Sequence, residues 1–310
     1  MRAVMIHKAD GPDAITVGER PVRQPGPGEV LLRVRAAAVN PADIVMWRTL
    51  GGGSVQPPFT AGMDAAGVAE AVGPGVDHIA AGQRAMAAVF PRRPEGGAQA
   101  ELVVVPAASV VPIPEALDSV AASTLPMNGL TALEGLHALG LPPRATLAIT
   151  GGAGLLASYA IPLAKQAGLR VIADAAPQDA DLVASFGTDV VVPRGDGFNQ
   201  AVRQAAPGGA DGLLDTAALT EAVVPAIRDR GVVAVVRGWN GPGPERGIQV
   251  SRVSVGNALQ NTDWLRQLAD HAAAGRIRLR VAGVHAPEAA LDGYLRMEAG
   301  GLRGRTVIAF

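Results

Sequence analysis

The 310-residue chain contains no cysteine. That absence excludes disulfides, thiol nucleophiles and thiolate metal sites in one step. Aromatic residues make up only 3%, so stacking platforms for single-stranded bases are not expected. Neither sign of charge dominates, the net value being −1. There is thus no electrostatic footprint for nucleic acid or an anionic membrane. No apolar run approaches the ~18 residues of a bilayer span. The opening stretch, Met1 to Lys8, is too short in its apolar part for a signal peptide, and Asp10 and Asp13 follow it. It reads as a first strand. A cytoplasmic location is expected, with neither nucleic acid nor membrane as partner.

Apolar residues account for 48% of the chain, as in globular proteins, and the length suits about two domains. The first third is punctuated by Gly and Pro. Val30-Leu-Leu-Arg-Val-Arg-Ala follows a Pro-Gly-Pro-Gly turn, and Asp64-Ala-Ala-Gly-Val and Glu101-Leu-Val-Val-Val read as further short strands. Close spacing of such strands implies a β-rich unit. Ser123 to Gly140 has helical composition. From Thr146 onward strands and helices alternate, including a helix over 221–228 and a strand over 231–236. Such β-α repetition implies a parallel sheet covered on both faces. The tail carries two amphipathic helices, 264–274 and 287–299, and a last strand from Arg305. That strand is placed to return to the first domain.

Thr150-Gly151-Gly152-Ala153-Gly154-Leu155-Leu156-Ala157 joins a strand to a helix, and Gly152-x-Gly154-x-x-Ala157 fits a dinucleotide-binding fingerprint. Gly152 permits a tight turn, Gly154 lets backbone approach a pyrophosphate, and Ala157 lets the helix pack on the sheet. The helix start offers N–H groups and partial positive charge to phosphates. The alternative is a glycine-rich turn without a ligand; the strand–turn–helix setting favours the cofactor reading.

The chain also resembles a known family. Val39-Asn40-Pro41-Ala42-Asp43 with Arg48 is similar to the Asn-Pro-x-Asp…Arg segment of the zinc-free quinone oxidoreductases (zeta-crystallin-like) in the medium-chain dehydrogenase/reductase superfamily. Gly62-Met63-Asp64-Ala-Ala-Gly67, Leu125-Pro126-Met127-Asn128-Gly129-Leu130-Thr131-Ala132, Gly187-Thr188-Asp189 and the closing Gly304-Arg305 resemble further family stretches, in order along nearly the whole chain. The resemblance implies an α/β fold: a Rossmann doubly wound parallel sheet over 116–261, inserted into a GroES-like β-rich catalytic domain formed by 1–115 and 262–310. It places the active site in the cleft. Zinc-dependent relatives carry Cys, His and Cys ligands where this chain has Asn40, Met63 and Met127. An amide and two thioethers do not make a zinc site, so no metal is expected.

Without a Lewis acid, a conjugated enone or quinone is an easier hydride acceptor than a simple ketone, because charge delocalises onto oxygen. The site needs positioning and hydrogen-bond donors. Three residues are catalytic candidates. Asn40 offers a donor, or holds an Asn-Pro turn. Asp43 is an orienting or structural carboxylate. Arg48 anchors substrate, or pairs with a surface acid. Trp47, Met63, Met127 and Trp239 are candidates for an apolar substrate pocket, with core packing the alternative for one of the tryptophans. Cofactor-binding candidates are Thr131, Gly152, Ala153, Gly154, Leu155, Leu156, Asp174, Arg194 and Gly238.

Asp174 stands about 20 residues beyond Gly154, near the spacing of an acid that binds ribose hydroxyls. NAD-dependent relatives carry that acid one place later, and a one-residue offset along a strand reverses the side chain's face. Arg194 falls near a position that suits a 2′-phosphate. NADP(H) is therefore favoured over NAD(H). The departures Gly82-Gln83-Arg84-Ala85 and Leu155-Leu156 from the family pattern keep open a non-redox descendant: a binding protein, or a cyclase or isomerase with weak or no cofactor binding. The Ala- and Arg-rich composition suits a GC-rich bacterial genome, where such reductases serve secondary metabolism. Strands near 231–236 and 248–255 lie toward a sheet edge that needs a cover, and the family pairs such edges across a two-fold axis, so a homodimer acting on a small molecule is expected.

Overall fold

The computed structural model describes every residue except Pro12, Pro242 and Pro244. Two compact units are formed, one from Met1–Met127 with Leu259–Phe310 and one from Asn128–Ala258. The first unit begins with a hairpin, β1 (Arg2–Ile6) against β2 (Ile15–Glu19). The long strand β3 (Glu29–Val39) follows, its Val and Leu side chains buried between turn residues. Pro41 and Asp43 start the short helix α1 (Pro41–Arg48), because Pro suits a first helical turn. Strands β4 (Asp64–Val72), β5 (Arg84–Ala88), β6 (Leu102–Pro106) and β7 (Val110–Pro112) complete the antiparallel run, and α2 (Ser119–Ala122) packs on β3 and β4. Where β3 and β4 cross, their register shifts between Val34 and Ala36. A Cβ on Gly67 would collide there with the Arg33 carbonyl, so the crossing requires glycine.

The second unit starts inside α3 (Pro126–Leu139). It then alternates β8 (Thr146–Ile149), α4 (Leu155–Gln166), β9 (Arg170–Ala175), α5 (Ala180–Ala184), β10 (Val190–Pro193), α6 (Phe198–Ala205) and β11 (Ala210–Asp215), and ends on β12 (Ile227–Val235) and β13 (Gln249–Arg252). All pairings are parallel, in the order β10-β9-β8-β11-β12-β13. The chain runs outward from β8 through β9 to β10, then returns to lay β11 on the other side of β8. That reversal is the switch point of a doubly wound sheet. The helix expected over 221–228 is instead a 3₁₀ segment, Thr220–Ala226, and β12 begins directly after it. Pro225 lies inside that segment and denies it an α-helical hydrogen bond.

The chain closes with α7 (Thr262–Ala273), β14 (Val281–His285), α8 (Ala290–Glu298) and β15 (Arg305–Ala309). β15 pairs antiparallel with β3, Thr306 opposite Val39, so the tail rejoins the first unit. The resulting sheet runs β14-β15-β3-β4-β5-β7, with β6 also on β3. β14 was not expected from the sequence; its exposed Val281 and Val284 on both sides of Gly283 lack the alternation of a half-buried strand. The unit boundary falls at Met127 rather than at 115, because α2 lies on the β3–β4 face. Among the described residues no helix is long and apolar enough to cross a membrane.

Candidate active site

In the second unit β8 ends at Ile149, and the chain turns through Gly151 to Gly154 into α4. Gly151 has φ +67°, a conformation that favours glycine. A Cβ on Gly152 would overlap the Asp174 carbonyl oxygen, so the turn can lie against β9 only with glycine there. Gly154 is the helix N-cap and offers no side chain. The first N–H groups of α4, at Leu155, Leu156 and Ala157, have no carbonyl one turn back. The Leu155 side chain is buried, so only its backbone is offered outward, while Leu156 and Ala153 are half-buried. A side-chain-free turn opening on a helix N-terminus accommodates a pyrophosphate.

Asp174 and Arg194 lie beside this turn. Asp174, at the end of β9, is buried, and its Oδ1 accepts a hydrogen bond of 2.9 Å from Gly152 N. Burial raises its pKa, against the lowering effect of that bond and of Arg194. The carboxylate thus fastens the turn rather than standing open at the strand end. Arg194 follows β10, and its backbone N–H donates to the Ala175 carbonyl at 3.0 Å. Its guanidinium is exposed and, among the described residues, makes no hydrogen bond or ion pair. Next to the end of β9, it supplies positive charge near the glycine turn.

In the first unit a buried polar chain joins four segments. Met127 N donates to Asp64 Oδ1 at 2.6 Å, Asn40 Nδ2 donates to Asp64 Oδ2 at 2.6 Å, and Arg305 Nε donates to Asn40 Oδ1 at 2.9 Å. The arginine is a donor only, so it sets the orientation of the Asn40 amide. Asp43 accepts from Asn40 N at 2.8 Å and Gly62 N at 3.0 Å. Asn40, Asp43 and Asp64 have no exposed surface. Burial pushes Asp43 up to about 6 and Asp64 up to about 7, with the neighbouring Asp43 charge adding to the rise at Asp64. Among the described residues no group of His, Asp or Glu side chains is arranged to hold a metal ion.

A family model for the alcohol dehydrogenase GroES-like domain matches residues 26–115. A trans-enoyl reductase of Aspergillus terreus is 32% identical over 205 residues, covering 61% of this chain and 67% of that protein. A chloroplast envelope quinone oxidoreductase homologue of Arabidopsis thaliana is 32% identical over 184 residues, covering 56% of this chain and 54% of its own. The matches therefore span between about half and two thirds of these curated relatives. A solved mycobacterial structure, complexed with NADPH, is 26% identical and superposes with a TM-score of 0.84 over 100% of both chains. The chain belongs to the medium-chain dehydrogenase/reductase superfamily, in its quinone oxidoreductase family.

Seen within that family, several expected site residues are placed elsewhere. Asn40 is fully buried, with its amide nitrogen bonded to Asp64 and its amide oxygen to Arg305 inside the fold. Arg48 pairs with Asp10 and Glu298 and lies over the Trp47 ring, the surface-pairing alternative rather than an anchor. Trp47 is a correction to the pocket assignment. It is 1% exposed, meets Tyr294 edge-on at 5.7 Å, and donates from Nε1 to the Lys8 carbonyl. Trp239 is a second correction, being packed with Phe198 and Ile248 and donating to the Gly241 carbonyl. Met63 and Met127 retain 8% exposure each and flank Asp64 in the chain and by hydrogen bond, respectively. Thr131 is buried on α3, and Gly238 follows β12 with φ +90°. Sequence reasoning passed over Asp64, Arg305, Thr150 and Asp215. The first two stood inside the motifs that carried the resemblance, Thr150 directly follows β8, and Asp215 ends β11.

Proposed function

We propose that this protein is a zinc-independent, NADPH-dependent reductase of conjugated enones or quinones. The observation that carries the reading is the side-chain-free turn at the start of α4 with the exposed Arg194 guanidinium beside it. The turn and helix N-terminus suit the pyrophosphate, and Arg194 suits a 2′-phosphate, which it can meet with charge-assisted hydrogen bonds. The use of Asp174 Oδ1 to hold Gly152 N, together with its burial, supports NADP(H) over NAD(H) in this reading. The names of the relatives, an enoyl reductase and a quinone oxidoreductase homologue, support the acceptor class, and the NADPH-bound neighbour supports the cofactor.

NADPH, when bound, supplies the hydride for the acceptor's electrophilic carbon. The acceptor also takes up one proton, which solvent can deliver. The chain's own part is to hold the phosphates at α4 and keep the turn rigid through Asp174. Asn40, Met63 and Met127 are a donor set that does not suit zinc, so no step is assigned to a metal.

The test is consumption of reduced nicotinamide in the presence of a panel of enones and quinones. Arg194→Ala is expected to weaken NADPH binding about tenfold, the loss of one charge-assisted hydrogen bond, and to leave NADH binding unchanged. Equal loss for both nucleotides would remove Arg194 from the 2′-phosphate. The cytoplasm and bacterial secondary metabolism remain the setting we propose.

We also propose a homodimer joined through β13, the half-exposed edge strand of the parallel sheet. Light scattering is expected to return twice the chain mass. A monomer at micromolar concentration would contradict it.

A further inference from the structure

We propose that Thr150 and Asp215 form a clasp that sets the geometry of the dinucleotide site, acting as positioning residues. The proposal rests on the cofactor reading above. In a doubly wound sheet, ligands bind outside the carboxyl ends of the strands at the switch point. Here those strands are β8 and β11, adjacent in the sheet. Thr150 directly follows β8, and Asp215 ends β11.

The two are tied reciprocally. Thr150 Oγ1 donates to Asp215 Oδ1 at 2.7 Å. The same hydroxyl accepts from Thr216 N at 3.1 Å and Ala217 N at 3.2 Å. Thr216 Oγ1 returns a bond of 2.6 Å to the Thr150 carbonyl. Asp215 also accepts from Ala217 N at 3.2 Å and Thr220 N at 2.8 Å. Both Thr150 and Asp215 are fully buried, and the carboxylate oxygens are satisfied by these donors.

The clasp has two products. Thr150 immediately precedes Gly151, so its position fixes where the glycine turn begins. The loop from Thr216 to Thr220 is held against that turn: a Cβ on Gly151 would come within 2.9 Å of Thr216 Oγ1. Ala218 (φ +56°) and Thr220 (φ +55°) adopt left-handed backbone that non-glycine residues avoid. Such conformations persist where surrounding bonds over-determine them, and they cluster at ligand sites. The Asp215 carboxylate supplies those bonds through Ala217 N and Thr220 N. Across the loop, Thr220 packs close to Gly238, where an added Cβ would lie 3.1 Å from Thr220 Cγ2. The loop is thereby a fixed wall of the cofactor crevice opposite α4.

The experiment titrates NADPH into wild type, Thr150→Val and Thr150→Ser, with thermal unfolding of each. Valine keeps the shape and removes the hydroxyl; serine keeps the hydroxyl. Thr150→Val is expected to raise the NADPH dissociation constant about tenfold while leaving the acceptor KM at saturating NADPH unchanged. Thr150→Ser is expected to bind as wild type does. Wild-type affinity in Thr150→Val, or equal loss in both variants, would overturn the clasp while leaving the cofactor reading intact. Failure of the wild type itself to bind either nucleotide would overturn that reading, and the clasp with it. If Thr150→Val does not fold, Thr216→Val, which removes only the return bond, takes the same test with the same expected direction.

Discussion

Asp64→Ala is expected to lower stability by about 2–5 kcal/mol, the cost of removing the acceptor from two buried hydrogen-bond donors. The substitution leaves Met127 N and Asn40 Nδ2 without their acceptor, and each buried donor so orphaned costs about 1–3 kcal/mol. The effect depends on pH with a definite sign. Burial raises Asp64 to about 7 and Asp43 to about 6, both above the ordinary aspartate value of 3.8. Between that value and the raised ones the folded chain holds protons that the unfolded chain has released. The contribution of these groups to stability is therefore largest at low pH and falls as pH rises through that window. Denaturant unfolding of wild type and Asp64→Ala at about pH 5 and pH 8 checks this, and the substitution is expected to cost more at the lower pH. A cost under about 1 kcal/mol at both, the level of an exposed substitution, would show that the chain of hydrogen bonds is not a coupled unit.

Gly152→Ala is the second large effect, and it bears on binding. The added methyl would overlap the Asp174 carbonyl oxygen and press on Val183 and Ala173. The obstacle is backbone, so the turn itself must move, and overpacking of this kind costs about 1–3 kcal/mol. The displacement also breaks the bond from Gly152 N to Asp174. NADPH and NADH affinity are both expected to fall by about 100-fold, equivalent to about 2.8 kcal/mol, with a cooperative unfolding transition retained. This joint loss separates Gly152→Ala from Arg194→Ala, which is expected to act on NADPH alone. Undiminished binding of both nucleotides would mean that the turn does not contact the cofactor.

Local pattern carried most of the fold. The β-α alternation from Thr146 is the parallel sheet, and Arg305 onward is the strand that returns to β3. Two elements escaped it for physical reasons. Thr220–Ala226 has helical composition, but Pro225 leaves it a 3₁₀ segment. β14 has exposed valines on both faces, so no periodicity marks it. The glycine turn was legible because its constraint is local: Gly152 and Gly154 answer to chain atoms within the turn and β9. The one-residue offset of Asp174 cast doubt on a ribose role, and its observed partner, Gly152 N, is a tertiary fact that sequence does not carry.

The catalytic-domain residues were harder to read, because a buried polar network and an active site have the same residue types. Asn40, Asp64 and Arg305 are distant in sequence and meet only when β15 lies beside β3. Thr150 and Asp215 meet only because β8 and β11 are neighbours. The tryptophans were ambiguous for a related reason. An aromatic ring lining a pocket and one filling a core look alike in sequence, and only the backbone carbonyls that satisfy Trp47 and Trp239 distinguish them.

Calorimetric titration of the folded wild-type chain with NADPH and then NADH tests the central claim most directly. The account predicts saturable binding of NADPH, tighter than that of NADH by about tenfold or more, the value of the Arg194 contact. Absence of binding by either nucleotide, in protein that unfolds cooperatively, would contradict it and leave the turn at α4 without the ligand for which its geometry is suited.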